Sequence, residues 1–288
     1  MSRNQYLNAT TERFNRTATM NVSIRESAAN NPATSPALTD ALIASVNNKA
    51  AAALILLKNA IVEFESSEFK SSEFESAAFE SAELKTITFA NSFGAEDMVL
   101  TDIILKNCLG ISIFSLDTGR LPTETYDLMA ATEKHYNTTL NIYFPQAQTV
   151  ELYVKNHGIN AFYESIALRK SCCHMRKVEP LQRALNGNKA WITGMRAAQA
   201  TTRSSLPFRE YDETNKLEKF NPLSNWTEQE VWAYIRLHNV PYNALHDQFY
   251  PSIGCAPCTR AVAMGEDVRA GRWWWEDANS KECGLHVK

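Results

Sequence analysis

The sequence predicts an α/β protein built on a doubly wound, mostly parallel sheet. Three observations carry this. From residue 85 onward, short runs rich in β-branched and aromatic residues alternate with helical stretches. These runs end in loops of small or polar residues that lead into the next helix. The chain, 288 residues long with 44% apolar and 21% charged residues, can bury one large α/β core with additional segments.

The elements follow in order. Residues 1–36 are rich in Asn, Thr, Ala and Ser, with four Arg and two Glu, and read as a disordered tail; an organelle transit peptide shares this composition. Residues 37–84 form a second segment. Thr39 and Asp40 are positioned to cap a helix reaching about Phe64. Phe64, Phe69, Phe74, Phe79 and Leu84 then recur every five positions. A step of five turns ~140° around a helix and flips faces in a strand, so this tandem repeat fits no regular packed element and reads as an insert. The stretch TITFANSF (86–93) is the first strand and GAEDMVLTDIILKN its helix; ISIFSLDTG (111–119) is the second strand, followed by a helix with Pro122 at its start. LNIYFPQ is the third strand. Helices cover 148–156, 160–169 and about 173–185, KAWITGM (189–195) is the fourth strand, KLEKFNPL a short strand, and Thr227 opens a last helix. Residues 85–272 are thus the main domain, and 273–288 a flexible C-terminal tail.

Composition excludes several classes. A formal net charge of −3 argues against a general nucleic-acid binder. The longest apolar run, AAAALILL (50–57), lies between Lys49 and Lys58, short of the ~20 residues that span a bilayer. No apolar secretory segment opens the chain, so the expectation is a cytoplasmic protein. In a reducing compartment, paired cysteines bind metal or do redox chemistry more often than they form structural disulfides.

Ligands in doubly wound sheets bind beyond the C-terminal ends of the strands. The first strand ends in NSFGAED, where Ser92, Gly94 and a helix N-terminus can hold an anion. The second ends in LDTGR, whose Asp117 and Thr118 are equally suited to capping the next helix. The fourth leads into TGMRAAQATTR, with Arg196 and Arg203. Arg176 and Lys177 follow a cysteine pair, and Arg269 and Arg272 precede three tryptophans. One basic residue is ordinarily a solvated charge; several at strand ends in an acidic chain point to a polyanionic ligand.

The six cysteines divide unevenly. Cys172-Cys173 and the Cys255-x-x-Cys258 motif supply four thiolates, the number that closes a tetrahedral zinc site or a four-iron cluster. Cys283 stands six residues from the end. Cys108, at an apolar helix end, reads as a buried small apolar side chain. The adjacent pair also permits a vicinal disulfide, and Cys283 with His286 has the C-x-x-H spacing of a metal half-site.

In order along 85–286, NSFGAED, LDTGR, KSCCHMRKVEPL, WITGMR with a later Arg, IGCAPCTRAV, GRWWWE and KECGLH resemble the assimilatory adenylylsulfate reductases of the phosphoadenylylsulfate reductase family. The resemblance implies an adenine nucleotide alpha hydrolase-like fold. It implies one [4Fe–4S] cluster on Cys172, Cys173, Cys255 and Cys258, and a nucleotide loop at Ser92–Asp97. It implies substrate contacts from Ser92, Gly94, Thr118, Gly119, Lys177, Arg196, Arg203, Arg269, Arg272 and His286, with Cys283 as the nucleophile. Attack on the sulfur of the mixed anhydride would expel AMP and leave an S-sulfonate on Cys283. A thioredoxin, expected here as a separate protein, would then release sulfite. The sequence leaves the oligomeric state open, a homo-oligomer included. Three alternatives stand beside this reading. One is a substrate carrying a 3′-phosphate. The second is an ATP-dependent tRNA thiolase, whose S-G-G-x-D-S loop NSFGAED departs from. The third is a non-catalytic zinc or iron–sulfur module.

Overall fold

A computed structural model describes residues 35–69, 86–199 and 206–277. Arg203, Cys283, His286 and most of the Phe repeat lie outside these residues, as does nearly all of the expected N-terminal tail. Strands β1 (Ile87–Ala90), β2 (Ser112–Leu116), β3 (Asn141–Tyr143), β4 (Ala190–Ile192), β5 (Arg209–Asp212) and β6 (Leu217–Phe220) form one sheet, in the order β3-β2-β1-β4-β6-β5. Every pairing is parallel except β5 with β6. The chain lays β2 and β3 on one side of β1, then returns to place β4 on the other. Two adjacent strands whose connections leave in opposite directions open a crevice at their C-terminal ends. Here that crevice lies between the loops after β1 and β4. Strand β5 was not expected: its REYD sequence has no apolar alternation, because as an antiparallel edge strand it is only half buried.

The helices are α1 (Asp40–Phe69), α2 (Ala95–Lys106), α3 (Thr123–Tyr136), α4 (Ala147–His157), α5 (Ile166–Cys173), α6 (Glu179–Leu185) and α7 (Glu228–His238). Side chains alternate across the sheet. Ile87, Phe89, Ala190 and Ile192 face a core shared with α1, α2 and α7. Phe114 and Trp191 face the opposite layer, against Leu181 and Leu185 of α6. Buried Asp102 ties three helices together, accepting hydrogen bonds from Tyr136 (2.7 Å) and Tyr234 (2.8 Å) beside Lys106. Thr227 opens α7 with a reciprocal capping box to Glu230.

Four expectations change. Helix α1 begins at the expected cap, with the Leu42 N–H donating to Thr39 Oγ1 (3.3 Å), but it continues past Phe64. By length and composition its Asp40–Glu65 stretch is apolar enough to cross a bilayer, which the eight-residue run alone did not reveal. In the fold it lies against α2 and α7, with Val46, Ala53, Leu57 and Ala60 buried and Lys49 2.6 Å from Glu230. The helix expected over 160–169 is a 3-10 turn at Ala161–Tyr163 and a fresh start at Ser165, whose hydroxyl accepts from the Leu168 N–H. From Ile166 the helical path runs without a break to Leu185, through a π-helical turn at His174–Val178. The cysteine pair therefore ends α5 rather than opening a helix. Cys108 is exposed, with φ 50°, and not buried: α2 ends before it, which leaves the thiol in a turn on the surface.

Candidate active site

The loop after β1 is held by one carboxylate. The Ser92 N–H and hydroxyl both donate to Asp97 Oδ2 (2.7 and 2.6 Å), and the Phe93 N–H donates to Asn91 Oδ1 (2.7 Å). Phe93 is buried with φ 62°, a conformation that a bulky residue adopts only when its surroundings fix it. Asp97 also accepts from the Gly194 N–H after β4, and burial pushes its carboxyl up to about 6. A β-carbon on Gly194 would stand 2.1 Å from Asp97 Oδ1, so only glycine lets the two loops meet. Both polar groups of Ser92 thus shape the loop. No side chain caps α2, whose N-terminal turn of backbone N–H groups lines the crevice.

The loop after β2 does not cap α3, since Pro122 occupies that position. Asp117 instead accepts from the Gly119 N–H (2.7 Å) and the Tyr126 hydroxyl (2.9 Å). Gly119 takes φ 69°, and Arg176, stacked beside it, donates to the Thr118 carbonyl. Thr118 faces two ways. It lines the crevice, and its hydroxyl oxygen accepts from the Cys255 thiol (3.3 Å).

Behind Thr118 the two cysteine pairs come together. Burial raises the Cys172 thiol, opposed by Arg176, which donates to the sulfur, and by Arg120; Cys255 pushes it up. Burial pushes Cys258 up to about 12, with Cys255 and Cys173 adding to it and Lys177 and Arg272 pulling it down. Arg169 donates to Cys173. Five cationic side chains therefore surround four thiols. Among the described residues no three His, Cys, Asp or Glu side chains converge tightly enough to hold a single metal ion.

A crevice of about 820 Å³ joins these parts. Of the expected contact residues, Ser92, Gly94, Thr118, Lys177, Arg196, Arg269 and Arg272 line it. Gly119 stands one residue behind the wall. Arg196 reaches the crevice with its charge already paired, 2.7 Å from Glu96, and donates to the Trp226 carbonyl. Arg272 lies over Gly254, where a β-carbon would be 2.4 Å from its Nη2. Its guanidinium also stacks on Trp273 at 4.7 Å, and Arg169 stacks on the same ring at 4.8 Å. Sequence reasoning missed Arg120, Arg169 and the two spacer glycines. Gly194 after a strand and Gly254 before Cys255 were visible signals; Arg169, inside a helix, gave none.

The decisive comparison is with family models. The model of the phosphoadenosine phosphosulfate reductase domain matches residues 86–261. The chain belongs to the phosphoadenosine phosphosulfate reductase family. Within it, the chain is 60% identical over 203 residues to the adenosine 5′-phosphosulfate reductase of Allochromatium vinosum, covering 70% of this chain and 79% of that protein. The corresponding enzyme of Burkholderia cepacia is 54% identical over 201 residues, covering 70% and 80%. Among solved structures, a phosphate complex of the phosphoadenylyl-sulfate reductase of Candida auris superposes with a TM-score of 0.53 at 31% identity, covering 73% of this chain and 96% of that one. The matched span takes in the sheet, the β1 loop and both cysteine pairs; Trp273, Trp274 and Trp275 lie beyond it.

Proposed function

We propose that this member of the family reduces adenosine 5′-phosphosulfate to sulfite and AMP, with Cys283 as the nucleophile and a separate thioredoxin as the reductant. The observation that carries the reading is the set of five cations around four thiols, two buried and two half-buried, opening through Thr118 onto a nucleotide-sized crevice. The names of the A. vinosum and B. cepacia relatives support the substrate.

The thiols fit a [4Fe–4S] cluster. Buried guanidinium nitrogens, Nε of Arg176 and of Arg272, flank them with no hydrogen-bond partner among the described residues, and burying cations in this way is favourable only beside negative charge. A zinc ion would draw four sulfurs to about 3.8 Å from one another, given Zn–S bonds of ~2.3 Å in a tetrahedron. A cubane spreads its four thiolates farther. Cys172, Cys173, Cys255 and Cys258 would hold it, and it would supply net negative charge that fixes the cations. The buried thiols must lose their protons on loading.

In the reaction, Lys177, Arg269 and Arg272 hold the phosphate and sulfate oxygens and offset charge on the leaving AMP. The Cys283 thiolate attacks the sulfate sulfur; the S–O bond to the phosphate breaks and AMP leaves with the electron pair. A thioredoxin thiolate then attacks Cys283 Sγ, and sulfite departs with the S–S bonding pair. The second thioredoxin thiol closes that protein's disulfide and frees Cys283, so the dithiol provides both electrons.

The test is a Cys283→Ser protein, expected to keep its iron and bind adenylylsulfate yet release no sulfite. Unmodified protein given substrate without thioredoxin should gain one SO₃ unit on the peptide containing Cys283. An adduct on Cys108, or sulfite release by Cys283→Ser at the normal rate, would refute the mechanism. Turnover of substrate with and without a 3′-phosphate decides between the two nucleotides.

A further inference from the structure

Residues 272–276 form a strap across the thiol quartet. Arg272 pairs with Thr259 in an isolated β-bridge and donates to the Ile253 carbonyl (3.3 Å). The Trp273 N–H donates to the Cys258 carbonyl (3.1 Å), and Trp273 holds φ 41° with its ring between the guanidinium groups of Arg169 and Arg272. Glu276 ends the strap. Its carboxylate receives two hydrogen bonds from Arg169, Nε at 2.8 Å and Nη2 at 2.6 Å. Arg169 is fully buried, and it also donates to Cys173. One side chain thus grips a thiol of the quartet and a carboxylate of the strap.

We infer that Arg169 and Glu276 are positioning residues that anchor the root of the catalytic tail to the thiol quartet. The inference rests on Cys283 being the nucleophile. Cys283 lies seven residues beyond Glu276, so its reach from the anchor is at most about 23–25 Å. A short tether with a fixed origin keeps the thiol at high effective concentration over the crevice, which Trp273 itself lines. The bidentate geometry matters because it fixes direction as well as distance.

The experiment uses iron-loaded full-length protein and Glu276→Gln, with Glu276→Asp as a milder variant. Three quantities are read: iron content with the visible absorption spectrum, affinity for adenylylsulfate in a Cys283→Ser background, and the single-turnover rate of SO₃ transfer to the Cys283 peptide. Hydrogen exchange over 272–277 is followed in parallel. Glu276→Gln should keep its iron and bind substrate within about twofold, exchange faster over the strap, and transfer SO₃ at least tenfold more slowly. Glu276→Asp should fall between it and the unmodified protein. Normal transfer in Glu276→Gln despite faster exchange would overturn the anchor, as would equal losses in affinity and transfer rate. No adduct on Cys283 in the unmodified protein would sink the nucleophile reading, and the anchor with it.

Discussion

On the side of the crevice below β1, Glu96, Asp97 and Glu228 line the wall, and Arg196 there already answers Glu96. On the side below the thiol quartet, Lys177, Arg269 and Arg272 line it, with Arg120, Arg169 and Arg176 behind. Both sides are built on glycine spacers and buried charge, yet the charge does different things. Near β1, the Asp97 carboxylate is consumed in shaping backbone. Near the quartet, Arg169 answers Glu276, while Arg176 and Arg272 are held by carbonyl contacts and Arg272 also by stacking on Trp273. A mixed anhydride has one end that asks mainly for shape and another that asks for positive charge, and the crevice divides along the same line.

Removing a thiol should break the cationic side most completely. Cys258→Ser should lose most of its iron and its visible absorption, while Cys108→Ser, on the surface, should retain both. Full iron retention in Cys258→Ser would end the four-thiolate assignment.

The side below β1 should reveal itself through pH. In the fold Asp97 titrates at about 6, above its ordinary value of 3.8. Its protonation therefore favours the folded state fully below pH 3.8, and that contribution is lost as pH rises through about 6. The loss amounts to on the order of 3 kcal/mol in all, about half of it above pH 5. In denaturant melts from pH 5 to 8, unmodified protein should lose this stability relative to Asp97→Asn; parallel curves would show that burial does not control the carboxyl.

Gly254→Ala tests the cationic side without touching a charge. The new methyl would overlap Arg272, so kcat/KM should fall roughly 10- to 150-fold, the equivalent of about 1.5–3 kcal/mol for one charge-assisted contact, with iron retained. Combined with Arg272→Ala it should cost little more, since both remove the same contact. Additive losses would separate the glycine from the arginine. The smallest effect belongs to a charge outside the crevice: Arg209→Gln, half-exposed between Glu63 and Glu218, should shift unfolding free energy by less than about 1 kcal/mol and leave turnover unchanged.

The sequence made the parallel strands legible because each is a β-branched or aromatic run closed by a loop, and it made the thiols legible because their pairing is rare. It hid whatever depends on contacts across the fold. Edge strand β5 lacks alternation because one side of it is bare. Asp97 looked like part of an anion loop, and its pairing with Gly194 requires β4 beside β1. Arg169 resembles any helical arginine until Glu276, 107 residues later, folds back onto it. Cys108 was misread because a change of one residue in a helix end turns a side chain from core to solvent.

The π-helical turn at His174–Val178 acts as a phase shifter. Upstream, α5 must present Cys172 and Cys173 to the quartet; downstream, α6 must present Leu181 and Leu185 to the sheet. A uniform α-helix would lock those two demands to one angular register, and the additional residue of the π turn lets each be met separately. Removing one residue from 174–178 would leave every other side chain present and rotate the two halves by about 100° against each other, the angle of one α-helical residue. For this stretch, then, length is a more stringent inheritance than identity: exchanges of side chain within the turn can be absorbed, whereas a single codon gained or lost would set the thiols and the core against one another.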